Sequence, residues 1–176
     1  MRRRGFIAGL AALACGTALA ADGAFVASEP RTVASADVEV VNEFGHTHVL
    51  ADFLPVGEPG ILHFWATWCA PCRAELPGLA AYANELSEAG LRDRLIVVAV
   101  EPSPRDKIDR YLDELGLDGF VTLQDRGNRS GATFGLFGMP ATILLDAKGR
   151  VVGQHSGPLD WSDEAVSSEL AAHLDG

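Results

Sequence analysis

Cys69 and Cys72, with Ala70 and Pro71 between them, are the side chains whose type and spacing point most directly to chemistry. Such a pair suits a structural disulfide, half of a metal site, or a dithiol that cycles between reduced and oxidised forms. Closing so short a ring removes only about 2 kcal/mol of chain entropy from the unfolded state, so stability is a weak reason to build it. A structural zinc site requires four ligands, and no second cysteine or histidine pair stands at a matched spacing. His46 and His48 lie two residues apart and read as part of a solvated hairpin, so no metal ligand is assigned. The redox reading requires an attacking thiol at a helix N-terminus and a second thiol one turn on.

The flanking residues supply that frame. Ile61 to Ala66 is an apolar, β-favouring run that reads as a buried central strand, and Thr67 and Trp68 turn the chain. From Pro71 the pattern becomes helical, with Glu75, Leu76, Leu79, Ala80, Ala83 and Leu86 in register and an end near Gly90. Cys69 therefore caps a helix, where unpaired N–H groups and the helix dipole favour an anion and so the thiolate. Cys72 faces the same side one turn deeper, shielded until a mixed disulfide forms and placed to resolve it.

The N-terminus reads as an address. Residues 1–21 form a signal region: Arg2, Arg3 and Arg4, an apolar stretch from Phe6 to Ala14, and Ala18-Leu19-Ala20, after which the cut is placed. Arg3-Arg4-Gly5-Phe6-Ile7 resembles the twin-arginine export signature, with a general secretory signal as the alternative. Cys15 follows Ala12-Leu13-Ala14, a degenerate lipoprotein box, which would make it a lipid anchor; the alternative is a signal-peptide cysteine that is discarded. An uncleaved signal would instead leave a membrane tether. Residues 22–37 are small and polar and read as a linker, leaving 38–176 as one domain. The net charge is −10, and without the three leading arginines eleven cations face twenty-four anions, or −13. So acidic a body repels phosphate backbones and anionic lipid heads, which excludes nucleic acid as a partner.

At Phe64-Trp65-Ala66-Thr67-Trp68-Cys69-Ala70-Pro71-Cys72-Arg73-Ala74-Glu75-Leu76-Pro77 the sequence resembles the TlpA/ResA-like branch of the thioredoxin superfamily, the extracytoplasmic thiol reductases. Gly138-Met139-Pro140-Ala141-Thr142 resembles that family's Gly-x-Pro-x-Thr turn, and the likeness covers about residues 38 to 174. It implies a thioredoxin fold of α/β class, a central mixed sheet flanked by helices, with an added N-terminal β-hairpin. By position, Pro140 would be the cis-proline facing the disulfide. Trp68, Ala70, Pro71 and Met139 would meet the substrate chain, and Glu75 would tune the thiols or move protons, its alternative reading being a solvated helix carboxylate. Pro77 falls inside the first helix, where the thioredoxin fold kinks. His63 is a departure: it stands where thioredoxins carry a buried Asp and this branch usually has Asn. It reads either as a packing residue or as a group that exchanges a proton with Cys72.

The resemblance further implies a periplasmic reductase acting on exported proteins with disulfides or thiols, with no cofactor beyond the Cys69–Cys72 disulfide. It implies a membrane electron donor of the DsbD or CcdA kind and targets in cytochrome c or oxidase copper-centre assembly. The alternatives are a disulfide-forming oxidase, separated from a reductase by potential alone, and a non-catalytic copper-handling protein of the same fold. A peroxiredoxin shares the fold but has a different Thr-to-Cys spacing and no tight dithiol.

The remaining elements follow the α/β pattern. Val38 to Val41 and His48 to Leu50 flank the turn Glu43-Phe44-Gly45 as a hairpin. Leu95 to Val100 is a second buried strand, and Arg105 to Leu115 an amphipathic helix. Phe120 to Leu123 reads as a short strand and Ser130 to Phe134 as a short helix. Ala141 to Asp146 and Val151 to His155 form the closing hairpin, and Ser162 to Leu174 the last helix, capped by Ser162 or Asp163. Glu101-Pro102-Ser103-Pro104 reads as a solvated loop, with a border of the active-site face as the alternative, and Gly157 to Trp161 reads as a packing segment.

Overall fold

The computed structural model describes residues 23–176, so the signal region and Cys15 lie outside the described residues. Eight strands form one mixed sheet: β1 (Val26–Arg31), β2 (Glu39–Val41), β3 (Thr47–Val49), β4 (Gly60–Trp65), β5 (Leu95–Val100), β6 (Leu123–Asp125), β7 (Ala141–Leu145) and β8 (Val151–Ser156). Four helices accompany it: α1 (Ala70–Glu88), α2 (Arg105–Glu114), α3 (Arg129–Phe134) and α4 (Glu164–Asp175). The strand order is β1-β8-β7-β4-β5-β6-β2-β3, with β4, β5 and β6 mutually parallel and every other pair antiparallel.

β4 lies in the middle and all six of its residues are buried, as expected for a strand covered on both faces. Its alternation divides the core. Ile61, His63 and Trp65 point to the side of α1, α2 and α4, where Leu76, Leu79, Ile108, Leu112, Leu170 and Leu174 pack. Leu62 and Phe64 point to the other side, against Val38, Val40, Leu50 and Phe134, with the Phe64 and Phe134 rings 5.3 Å apart. α1 runs through Pro77 as one helix, and Gly78 brings it close to Trp161, since a Cβ at that glycine would lie 3.4 Å from the Trp161 Cβ. Asp163 is the cap of α4, accepting from the N–H groups of Ala165 and Val166.

Two expectations are corrected. Of the linker placed at residues 22–37, the described part, 23–37, is in fact built into the fold: β1 pairs antiparallel with β8, and a 3-10 turn covers Ser35–Asp37. Its small polar residues suit an outermost strand whose side chains are all exposed, and its partner lies over a hundred residues away. Glu169 holds its start by accepting from the N–H of Ala24 at 2.8 Å, and Arg31 donates to the Phe134 carbonyl at its end. The strand placed at Phe120 to Leu123 begins only at Leu123. The left-handed turn at Gly119 (φ 82°) precedes it, and pairing with β5 starts at Val98 opposite Leu123. The hairpin of β2 and β3 joins the far edge through Val41 opposite Gln124.

Candidate active site

The exits of β4 and β5 and the entry of β7 meet at one end of the sheet, because Phe64 pairs with Ala141 and Trp65 with Ala99. From β4 the chain turns through Thr67 and Trp68, and the Cys69 N–H donates to the Ala66 carbonyl. Cys69 then takes extended backbone angles (φ −92°, ψ 107°) as the N-cap of α1, with Pro71 in the first turn. Cys69 and Cys72 form a disulfide of 2.08 Å. The Cys72 N–H points at the Cys69 sulfur from 3.3 Å, an N-cap bond in which sulfur replaces the usual oxygen. That donor is in place to serve a thiolate once the disulfide opens.

The two sulfurs are not equivalent. Cys69 lies at the rim, 6% exposed, between the exposed Trp68 (62%) and the exposed Ala70 and Pro71, whereas Cys72 is fully enclosed. Beside them the Met139–Pro140 peptide bond is cis, Pro140 is buried, and its carbonyl accepts from the Gly157 N–H. Met139 is half-buried and touches the apolar clusters on both sides of the sheet. Two residues earlier Phe137 projects into solvent, 96% exposed, a feature not singled out from the sequence.

His63 and Glu75 are brought together. Nε2 of His63 lies 3.2 Å from Oε1 of Glu75, with both side chains shut from solvent. His63 Nδ1 is 3.0 Å from the Thr142 hydroxyl, two residues beyond Pro140, and its ring meets Trp161 edge-on at 5.3 Å. The other carboxylate oxygen, Oε2, accepts from the Leu159 N–H at 2.8 Å and from the Trp161 indole at 3.4 Å. The segment read as packing before the last helix thus also supplies two donors to Glu75. Behind Trp161 stands Tyr82, whose hydroxyl burial, with a smaller contribution from Glu85, pushes up to about 12.

The loop after β5 is a further correction. Glu101 is 1% exposed, and its carboxylate accepts from the Thr67 hydroxyl, the Ser103 N–H and Lys107. Burial pushes its pKa up, but the hydrogen bonds from Thr67, Ser103 and Lys107 outweigh it and hold it below the ordinary carboxylate value. Gln124 donates to the carbonyls of Glu101 and Ser103, which turns the loop inward. A hollow of about 260 Å³ opens beside it, between Trp68, Arg73 and the Lys107–Tyr111 side of α2. A larger hollow, about 760 Å³, contains none of the site residues and lies between the 52–58 segment and the C-terminal half of α1.

A mixed sheet with a disulfide at the N-terminus of the helix leaving its central strand, facing a cis-proline turn, defines a thioredoxin-fold dithiol protein. The chain belongs to the AhpC/TSA family, whose model matches residues 33–154. It is similar to the thiol:disulfide interchange protein DsbE of Escherichia coli K12, 37% identical over 117 residues, covering 65% of this chain and 60% of that protein. It is also similar to the thiol:disulfide interchange protein HelX of Rhodobacter capsulatus, 31% identical over 120 residues, covering 68% and 63%. The match thus spans about three fifths of the length of these relatives. Among solved structures, StoA of Bacillus subtilis superposes with a TM-score of 0.57 at 21% identity, covering 78% of this chain and 98% of StoA. A secreted thiol-disulfide isomerase of Corynebacterium glutamicum gives 0.65 at 22%, covering 89% and 93%. Both likenesses concern the fold.

Proposed function

We propose that the protein is an extracytoplasmic thiol:disulfide oxidoreductase that reduces disulfides of exported proteins. The observation that carries this is the asymmetry of the pair: Cys69 caps α1 at the rim and Cys72 is enclosed one turn below. In the reduced protein the Cys69 thiolate, served by the Cys72 N–H and the helix N-terminus, attacks one sulfur of a substrate disulfide and the other sulfur leaves. A mixed disulfide results. Cys72 gives up its proton and attacks the Cys69 sulfur; the Cys69–substrate bond breaks and the substrate sulfur leaves with the electron pair and takes up a proton. Trp68, Ala70, Pro71 and Met139 form the face on which the substrate chain lies, beside the cis Met139–Pro140 turn. The oxidised pair is reset by a partner dithiol. A membrane donor of the DsbD or CcdA kind fits that need, and proteins of cytochrome c or oxidase copper-centre assembly fit as targets, in line with the relatives named DsbE and HelX.

Cys69→Ser should abolish insulin disulfide reduction, and Cys72→Ser should accumulate mixed disulfides visible on non-reducing gels. Turnover retained in both variants would refute the dithiol mechanism. The direction follows from equilibrating the mature domain with a thiol buffer: a potential near about −270 mV marks a reductant and one near about −120 mV an oxidase.

A further inference from the structure

Cys69 stands between two unlike flanks. β4, which leads to it, pairs with β7 on one side and β5 on the other, so the Met139–Pro140 turn lies on the β7 flank and the hollow of about 260 Å³ on the β5 flank. The hollow is charged: Arg73, Lys107 and Arg110 line it, with Thr67, Trp68, Tyr111 and a single anion, Glu114. In a chain where twenty-four acids face fourteen bases, that balance runs against the composition. We propose that the hollow takes an acidic side chain of the polypeptide whose disulfide is reduced, carried within a few residues of the cysteine that Cys69 attacks. The inference deepens the dithiol reading above and rests on it. Trp68, 62% exposed, joins the two places: it is the chain neighbour of Cys69 and a wall of the hollow, so a substrate chain crossing the indole from Cys69 enters the charged side.

Arg73 is the group that receives the carboxylate. Its N–H donates to the Cys69 carbonyl at 3.1 Å, which places it one helical turn beyond Cys69. A cation there gains nothing from the helix dipole, whose positive end lies at Cys69. The side chain is exposed, and none of the ion pairs among the described residues includes it. Its charge falls instead on the Tyr111 hydroxyl, where it opposes the rise that burial gives that group. A guanidinium whose donors no acid claims is suited to hold a carboxylate through two parallel bonds. The other two cations are already matched: Lys107 by the buried Glu101, and Arg110 by Asp106 across one turn. Both remain able to lend charge, because Lys107 is 44% exposed and the Arg110 pair, 70% and 68% exposed, is of the kind that water weakens. Glu114 is the opposing charge. It acts on the Tyr111 hydroxyl in the sense contrary to Arg73, so it selects against a carboxylate and sharpens the test.

The test uses three cyclic disulfide peptides that differ only in the residues flanking the attacked cysteine, which are Glu, Gln or Lys. Oxidation of the reduced protein by each is followed by stopped-flow tryptophan fluorescence, and each peptide's rate with dithiothreitol corrects for its own reactivity. The parent protein should react with the Glu peptide about tenfold faster than with the Lys peptide at low salt, with Gln between them, and the ratio should shrink towards one at about 0.5 M salt. Arg73→Glu should bring the ratio to one or below, Arg73→Lys should keep most of it, and Glu114→Gln should raise it. The uncharged 2-hydroxyethyl disulfide reports how well Cys69 attacks with no chain docked. Were Arg73 there only to hold the Cys69 thiolate, Arg73→Glu would slow all four disulfides by one factor and leave the Glu-to-Lys ratio unchanged, which would overturn the proposal. A parent ratio within about twofold of one would do the same. Should Arg73→Glu lower the melting temperature, Arg110→Glu makes the same comparison from α2, where a reduced ratio is expected and an unchanged one overturns the proposal. Failure of the parent to react with any of the four disulfides would instead refute the dithiol reading, and the proposal with it.

Discussion

Glu101→Ala offers a quantitative check on the buried carboxylate beside the active-site turn. The substitution removes an acceptor that serves three donors of unequal consequence. The Thr67 hydroxyl is buried, and without its partner it carries a desolvation penalty of about 1–3 kcal/mol. The Ser103 N–H, bonded at 3.2 Å to a charged oxygen, loses a contact of about 1.5 kcal/mol. Lys107 is 44% exposed and returns to water, so its loss is worth less than about 1 kcal/mol. The variant should therefore be destabilised by about 3 kcal/mol at pH 7, read as a lowered urea midpoint with an unchanged slope. The pH dependence has a definite sign. The folded pKa lies below the ordinary 4.5, so the charged contribution is fully present above pH 4.5 and is lost as pH falls through the folded value. The gap between parent and variant should accordingly narrow below pH 4.5. A difference under about 1 kcal/mol at pH 7, or a gap that widens in acid, would show that the carboxylate does not anchor the Thr67 turn.

Asp163→Ala removes the two-donor cap of α4 and should cost about 1 kcal/mol in chemical denaturation, while Asp163→Asn should retain most of the stability. Glu169→Gln weakens the acceptor that holds the start of β1, so amide exchange at Ala24 and Phe25 should speed up without a change at Leu62 or Phe64. Phe134→Ala empties a fully buried site against Phe64 and should cost about 3–5 kcal/mol, with a visible fall in melting temperature.

The dithiol and the elements that carry it were legible because their signals are local. An apolar run, a turn, a cysteine and a proline in the first turn of a helical pattern lie within a dozen residues, and the structure places β4 and α1 there. The hairpin of β2 and β3 and the cap of α4 were legible for the same reason. What could not be read depends on distant partners. β1 has no apolar alternation, since its side chains face solvent, and only the β8 edge makes it a strand. Glu101 sits in a Glu-Pro-Ser-Pro run that reads as solvated; Thr67, Lys107 and Gln124 from three other elements draw it inside. Leu159 reveals nothing of its part in the site, because what it contributes is a backbone N–H.

The first strand also decides where the chain can be cut. Beginning it at residue 38, as the linker reading suggests, would strip β1 and leave the N–H and C=O groups of β8 from Val151 to Ser156 open along one edge. Bare edges of that kind template self-association into dimers or fibrils. As it stands the outermost strand carries Pro30, which has no N–H to offer a neighbour, between Glu29 and Arg31. Residues 23–37 act as a guard rail for solubility, and a recombinant domain should keep them.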